Sequence, residues 1–149
     1  MTSTTWLALG AIAIGGAAIA TQAPINSRLG NHMGDPVMAA AISFGVGFLV
    51  LLVLAVLRGA LPAAITAAAD VPWWAWTGGA LGAVYVWASI WSVSTLGVVT
   101  LVAALIFGQL TAALILDAVG AFGMTMREIS WTRLAAVGFV GVGLILSRL

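Results

Sequence analysis

The chain has 149 residues, of which 63% are hydrophobic and only 6% charged, with a net charge of +1 and no cysteine. Soluble domains carry roughly 25% charged residues, so this composition excludes a water-dissolved globule and describes a chain dissolved in lipid. It also excludes disulfides, thiol redox chemistry and zinc-thiolate sites, and it leaves too few charges for a nucleic-acid surface.

A bilayer core of ~30 Å is crossed by about 20 apolar residues in helical conformation. Runs of that order, bounded by charge, Pro or Gly, predict helices over about 4–24, 36–57, 72–95, 98–120 and 131–147. They form a single membrane domain over 1–149. A strand crossing needs only ~10 residues with in-out alternation. These runs are twice as long and apolar throughout.

The first run, from Thr4 to Pro24, has no basic n-region, and Pro24 stands where a cut after Ala23 would fall, so it is expected to be a membrane helix and not a cleaved signal peptide. Asp35-Pro36 offers a capping carboxylate and a preset first helical residue for the second helix. Asp70 with Pro72 is expected to do the same for the third, and Ser130 for the fifth. The segment Leu61 to Ala69 is too short to cross and is expected to be a turn or short surface helix. His32 falls in a predicted polar loop.

Five crossings would put the termini on opposite sides. One side then holds Arg58, Arg127 and Arg133, the other Arg28 and Arg148. Three against two is a small difference under the positive-inside rule. It permits insertion either way round, and hence an antiparallel pair of identical chains or a pair with a related, oppositely oriented chain. Small residues at helical spacing (Ala11, Gly15, Ala18; Ala39, Ser43, Gly47; Gly78, Gly82; Ala135, Gly138, Gly141) favour close helix packing.

Polar groups at membrane depth are costly unless partnered or facing a wet cavity, and are therefore the candidate functional residues. Gln22 and Asn26 lie one turn apart on one face. Tyr85, Ser89 and Ser92 continue the line of Gly78 and Gly82. Gln109 sits near the middle of the fourth helix, with Asp117 two turns later on the same face. The bland alternatives are backbone satisfaction at a helix end for Gln22 and Asn26, an interhelical clamp for Gln109, pairing with Arg127 or Arg133 for Asp117, and bonding to the carbonyl four residues back for the serines. Trp73, Trp74 and Trp76 sit where interfacial aromatic belts occur. Trp87 and Trp91 lie deeper, where they would face a cavity or fill a dimer core. The substrate-binding set expected is Gln22, Asn26, Tyr85, Ser89, Trp91, Gln109 and Asp117. With one His and no HExxH, GxSxG or Walker pattern, no catalytic residue, metal site or cofactor is expected.

The stretch Gln22-Ala-Pro-Ile-Asn26 with Leu29, then Ser43-Phe44 and Gly47, Trp73-Trp74 leading to Gly78-Gly79, Gly82 and Tyr85-Val86, Gly108-Gln109, Asp117 with Gly120, and Arg133 before a glycine-rich last helix resembles the YdcZ-like family of bacterial inner-membrane exporters in the drug/metabolite transporter superfamily. The resemblance covers essentially the whole chain. It implies an all-α, five-transmembrane-helix bundle that forms one half of an inverted-repeat transporter, as an antiparallel homodimer or a heterodimer with a related chain. It further implies that the first, third and fourth helices surround a cavity, with the fifth helping two units associate. The glutamate that small multidrug exporters of that superfamily carry in the middle of the first helix is absent, since Ala13, Ile14, Gly15 and Gly16 stand there. Only Asp117 would remain to couple a proton or cation. The expected function is alternating-access export of a small polar or amphipathic metabolite; a dual-topology ion channel and a structural membrane subunit are the alternatives.

Overall fold

The computed structural model describes residues 2–149, and every regular element in it is helical. Helix α1 runs from Ser3 to Met33. Its 31 residues would extend ~46 Å, half as long again as a bilayer core. The sequence pattern stops this helix near Pro24, yet the proline is inside it. A proline removes one backbone donor and leaves the carbonyl four residues earlier, here Ala20, without its usual amide. Neighbouring helices tolerate that in a membrane segment, and no further breaker follows until Gly34, whose φ of 72° gives the left-handed cap that ends the helix. Gln22 and Asn26 are therefore interior helical residues, not end residues. His32 likewise belongs to the last turn of α1, its Nδ1 2.9 Å from the Arg28 carbonyl oxygen.

Helix α2 (Pro36–Leu57) begins where Asp35 accepts a hydrogen bond from the Val37 amide at 2.6 Å, with Pro36 as the first helical residue. A short helix α3 (Leu61–Ala67) and two 3-10 segments, Ala68–Asp70 and Trp73–Thr77, lead to helix α4 (Gly78–Val119). The expected cap at Asp70 does not form: its residue closes a 3-10 turn, and the next segment starts at Pro72 without a side-chain cap.

The third and fourth predicted helices, 72–95 and 98–120, follow one another directly and are parted by a single non-helical residue between those bounds. At Gly97, φ is 75° and ψ 165°, a region open essentially to glycine alone. This residue divides α4 into an N-terminal arm (78–96) and a C-terminal arm (98–119). Helix α5 (Trp131–Leu146) follows a loop. Ser130 caps it, accepting from the Arg133 amide at 3.4 Å. Three segments are long and apolar enough to cross a membrane: Ser3–Met33, Pro36–Leu57 and Trp73–Val119; α5, with 16 residues, is apolar but shorter.

The chain forms two compact units, one up to Ser94 and one from Thr95. In the first, Ala39 and Ala40 of α2 and Val86 and Ile90 of α4 form a small buried core, with Leu29 of α1 and Tyr85 against it. Glycine and alanine set the spacing, as expected where packing and not hydrophobic drive holds helices together. A Cβ on Gly30 would lie 3.2 Å from Ile90 and 3.6 Å from Ala39, and one on Gly82 would lie 3.2 Å from the Phe44 ring.

In the second unit the C-terminal arm of α4 and α5 make an antiparallel hairpin. The Thr100 hydroxyl donates to the Ser147 carbonyl at 3.0 Å. Further along, the Phe107 ring covers Gly141, where a Cβ would come within 3.1 Å. At the closed end, Arg133 pairs with Asp117. The intervening loop folds back, its Arg127 amide donating to the Asp117 backbone carbonyl at 2.8 Å.

Candidate functional site

Four of the residues singled out by polarity converge in the first unit. Gln22 and Asn26 project from one face of α1 toward Tyr85 and Ser89 of the N-terminal arm of α4, and all four line one narrow space. Asn26 is 5% exposed and Ser89 3%, so both polar groups have left the lipid and must be satisfied by protein. The Asn26 amide donates to the Ser43 hydroxyl of α2 at 3.1 Å. Ser89 donates to the Tyr85 carbonyl at 2.9 Å, the backbone-directed bond that a serine inside a helix commonly makes. Packing here is tight enough to leave ≈ 0 Å³ for water.

Next to this contact the same helices open into a groove of ≈ 490 Å³, lined by Gln22, Ser43 and Tyr85 on one part and by Ile19, Phe44, Phe48 and Leu51 on another. The size falls in the usual range of small-molecule sites, about 300–1,000 Å³. Its lining is chiefly apolar with three neutral hydrogen-bonding side chains and no charged one. Such a surface accommodates a molecule with an apolar body and one or two neutral polar groups. It offers no counter-ion to a strongly charged one.

Trp91 lies beyond the tight contact, 68% exposed, on the wall of a second open space of ≈ 310 Å³ with Ser27, Asn31 and Ser94. Gln109 and Asp117 belong to the second unit. Gln109 is exposed and has no hydrogen-bond partner among the described residues. Asp117 is half-buried in its ion pair with Arg133, whose Nη1 is buried without a partner. The Arg133 side chain lines a pocket of ≈ 130 Å³ with Leu110, Ala113, Leu114, Ala136 and Val137.

Sequence polarity alone missed the contribution of α2. Ser43 is the one polar side chain between Pro36 and Leu57, and its isolation in an apolar run was the available signal. Phe44 and Phe48, like Gly47 and Leu51, stand four apart and so share faces, but nothing distinguishes such a pair from ordinary lipid-facing residues before the helices are assembled.

Long apolar helices with polar groups turned inward define a polytopic helical membrane protein. The family can be stated more closely. The chain matches the family described as "Putative inner membrane exporter, YdcZ" over residues 6–146, and it belongs to that drug/metabolite-transporter-type family of the bacterial inner membrane. No curated protein and no solved structure shows significant similarity to it.

Proposed function

We propose that the chain exports a small amphipathic metabolite with a neutral hydrogen-bonding head, held in the groove between α1, α2 and the N-terminal arm of α4. The observation that carries this reading is the composition of the groove: Gln22, Ser43 and Tyr85 beside Ile19, Phe44, Phe48 and Leu51, in ≈ 490 Å³. Head and tail of the solute would be sorted between these two parts. A groove that ends on a contact with no room for water favours a carrier over a standing pore.

In this proposal the break at Gly97 separates two crossings within α4, and α5 supplies the fifth. Two chains then associate in opposite orientations and alternate access around their sites. Gln109 supports a covering partner. It lies ~16 Å from the start of its arm, at mid-bilayer depth, where an exposed amide without a partner costs several kcal/mol. A second copy, or a solute-filled space between copies, would satisfy it. Coupling through Asp117 would require its carboxylate to exchange Arg133 for another cation during the cycle.

The test is efflux. Cells producing the wild-type protein should enrich their medium in one or more amphipathic metabolites, as read by untargeted mass spectrometry, and Gln22→Leu should lose that enrichment at equal membrane abundance. Equal enrichment by the variant would remove the groove from the site.

A further inference from the structure

The two open spaces of the first unit are separate, and what divides them is specific. From Ile19 to Asn31, ~18 Å along α1, the lining passes from the groove, through the water-free contact, to the space beside Trp91. The groove and the contact share Gln22 and Tyr85, and the contact and the outer space share Ile90. Between the openings every wall residue is small or buried: Ala23, Asn26, Val86, Ser89 and Ile90 are each at most 6% exposed. Among the described residues, one side-chain hydrogen bond joins two helices at this level, from Asn26 of α1 to Ser43 of α2.

We propose that this contact is a gate between α1 and the N-terminal arm of α4, and that a solute leaving the groove passes through it into the Trp91 vestibule. The Asn26–Ser43 hydrogen bond is its latch, because it ties the α1 side chain that fills the contact to α2, from which α1 must part to swing away from α4. The proposal rests on the groove being the solute site. Three features suit the role. The latch joins two neutral groups, whose net worth is about 1 kcal/mol, so it opens thermally without separating charges in lipid. Ser89 satisfies its hydroxyl within its own helix, so the closed contact leaves no donor from that residue to attract water. Pro24 lies two residues before Asn26 and removes one hydrogen bond from the α1 ladder, which gives α1 a bending point beside the latch. The vestibule presents Ser27, Asn31 and Ser94 with the exposed Trp91 face, chemistry suited to receive the polar head of the same amphipathic solute.

The test compares wild-type protein, Asn26→Ala/Ser43→Ala and Ser43→Ala in proteoliposomes. Glycerol is the probe, and stopped-flow light scattering reads its passive permeation. Unlatching and shortening Asn26 should raise protein-dependent glycerol permeability at least tenfold, and Ser43→Ala alone severalfold. Permeability equal to that of wild type in both variants overturns the gate. Ser43→Ala decides the matter if the double variant does not assemble, because it deletes a single oxygen and places a better helix former in α2. The groove is checked on the same preparations by fluorescence of N-phenyl-1-naphthylamine in nanodiscs, against empty nanodiscs. Absence of binding to the wild-type protein would remove the solute site, whereas the gate is judged by glycerol alone.

Discussion

Asp117 and Arg133 permit a quantitative test of how the second unit is held. Their side chains are 25% and 32% exposed, intermediate between a solvated surface pair, worth about 0.2–1 kcal/mol, and a buried pair, whose disruption costs about 3–5 kcal/mol. Asp117→Leu would leave the Arg133 guanidinium with no counter-ion, and its Nη1 already has no partner; the expected loss is about 2–3 kcal/mol. Arg133→Leu would strand the carboxylate at a similar cost. The double variant replaces both charges with apolar side chains beside Leu110, Leu114 and Val137, so most of the loss should return. With about 2–3 kcal/mol lost by each single variant and about 1 kcal/mol by the double, the coupling energy from a double-mutant cycle should be about 3–5 kcal/mol. Reversible unfolding in mixed micelles, followed by circular dichroism, measures it. Strictly additive losses would refute the reasoning and reduce the pair to an incidental contact.

Two other substitutions probe features of the fold and its association. Gly97→Ala forces a Cβ into a conformation with φ of 75° and ψ of 165°; although no atom lies within 4 Å of that Cβ, the backbone alone should cost about 1–3 kcal/mol, seen as a lowered Tm in detergent, and an unchanged Tm would show that the break is not maintained. Gln109→Leu removes the exposed mid-span amide, and if a second copy satisfies that amide the dimer fraction in quantitative crosslinking should fall severalfold, whereas an unchanged fraction would place Gln109 outside the interface.

How far the sequence carried this structure depends on whether the deciding interaction was local. Helix α2 begins where Asp35-Pro36 says it should, because a cap and a preset proline act within three residues. The end of α1 was misplaced because proline is a breaker in water but is accommodated in lipid, where Gly34 is the effective stop. The expected cap at Asp70 failed for a related reason, since the chain there is occupied by 3-10 turns before α4 starts. Polarity at depth drew attention to Gln22, Asn26, Tyr85 and Ser89, and the structure gathers these four on one narrow space. It could not supply Ser43 as the partner of Asn26, nor the apolar wall of Phe44, Phe48 and Leu51. Those depend on the register of α2 against α1, which small residues permit but do not specify.

The groove itself is the most exposed part of the account, and Gly47 offers direct access to it. Gly47 lines the groove, and a Cβ built on it meets nothing within 4 Å, so Gly47→Phe should fill the space without displacing a helix. Titration of N-phenyl-1-naphthylamine into nanodiscs, corrected for empty discs, should show saturable binding to the wild-type protein and at least tenfold weaker binding to the variant at an unchanged Tm. Equal affinity in the two proteins would contradict the assignment of the solute site.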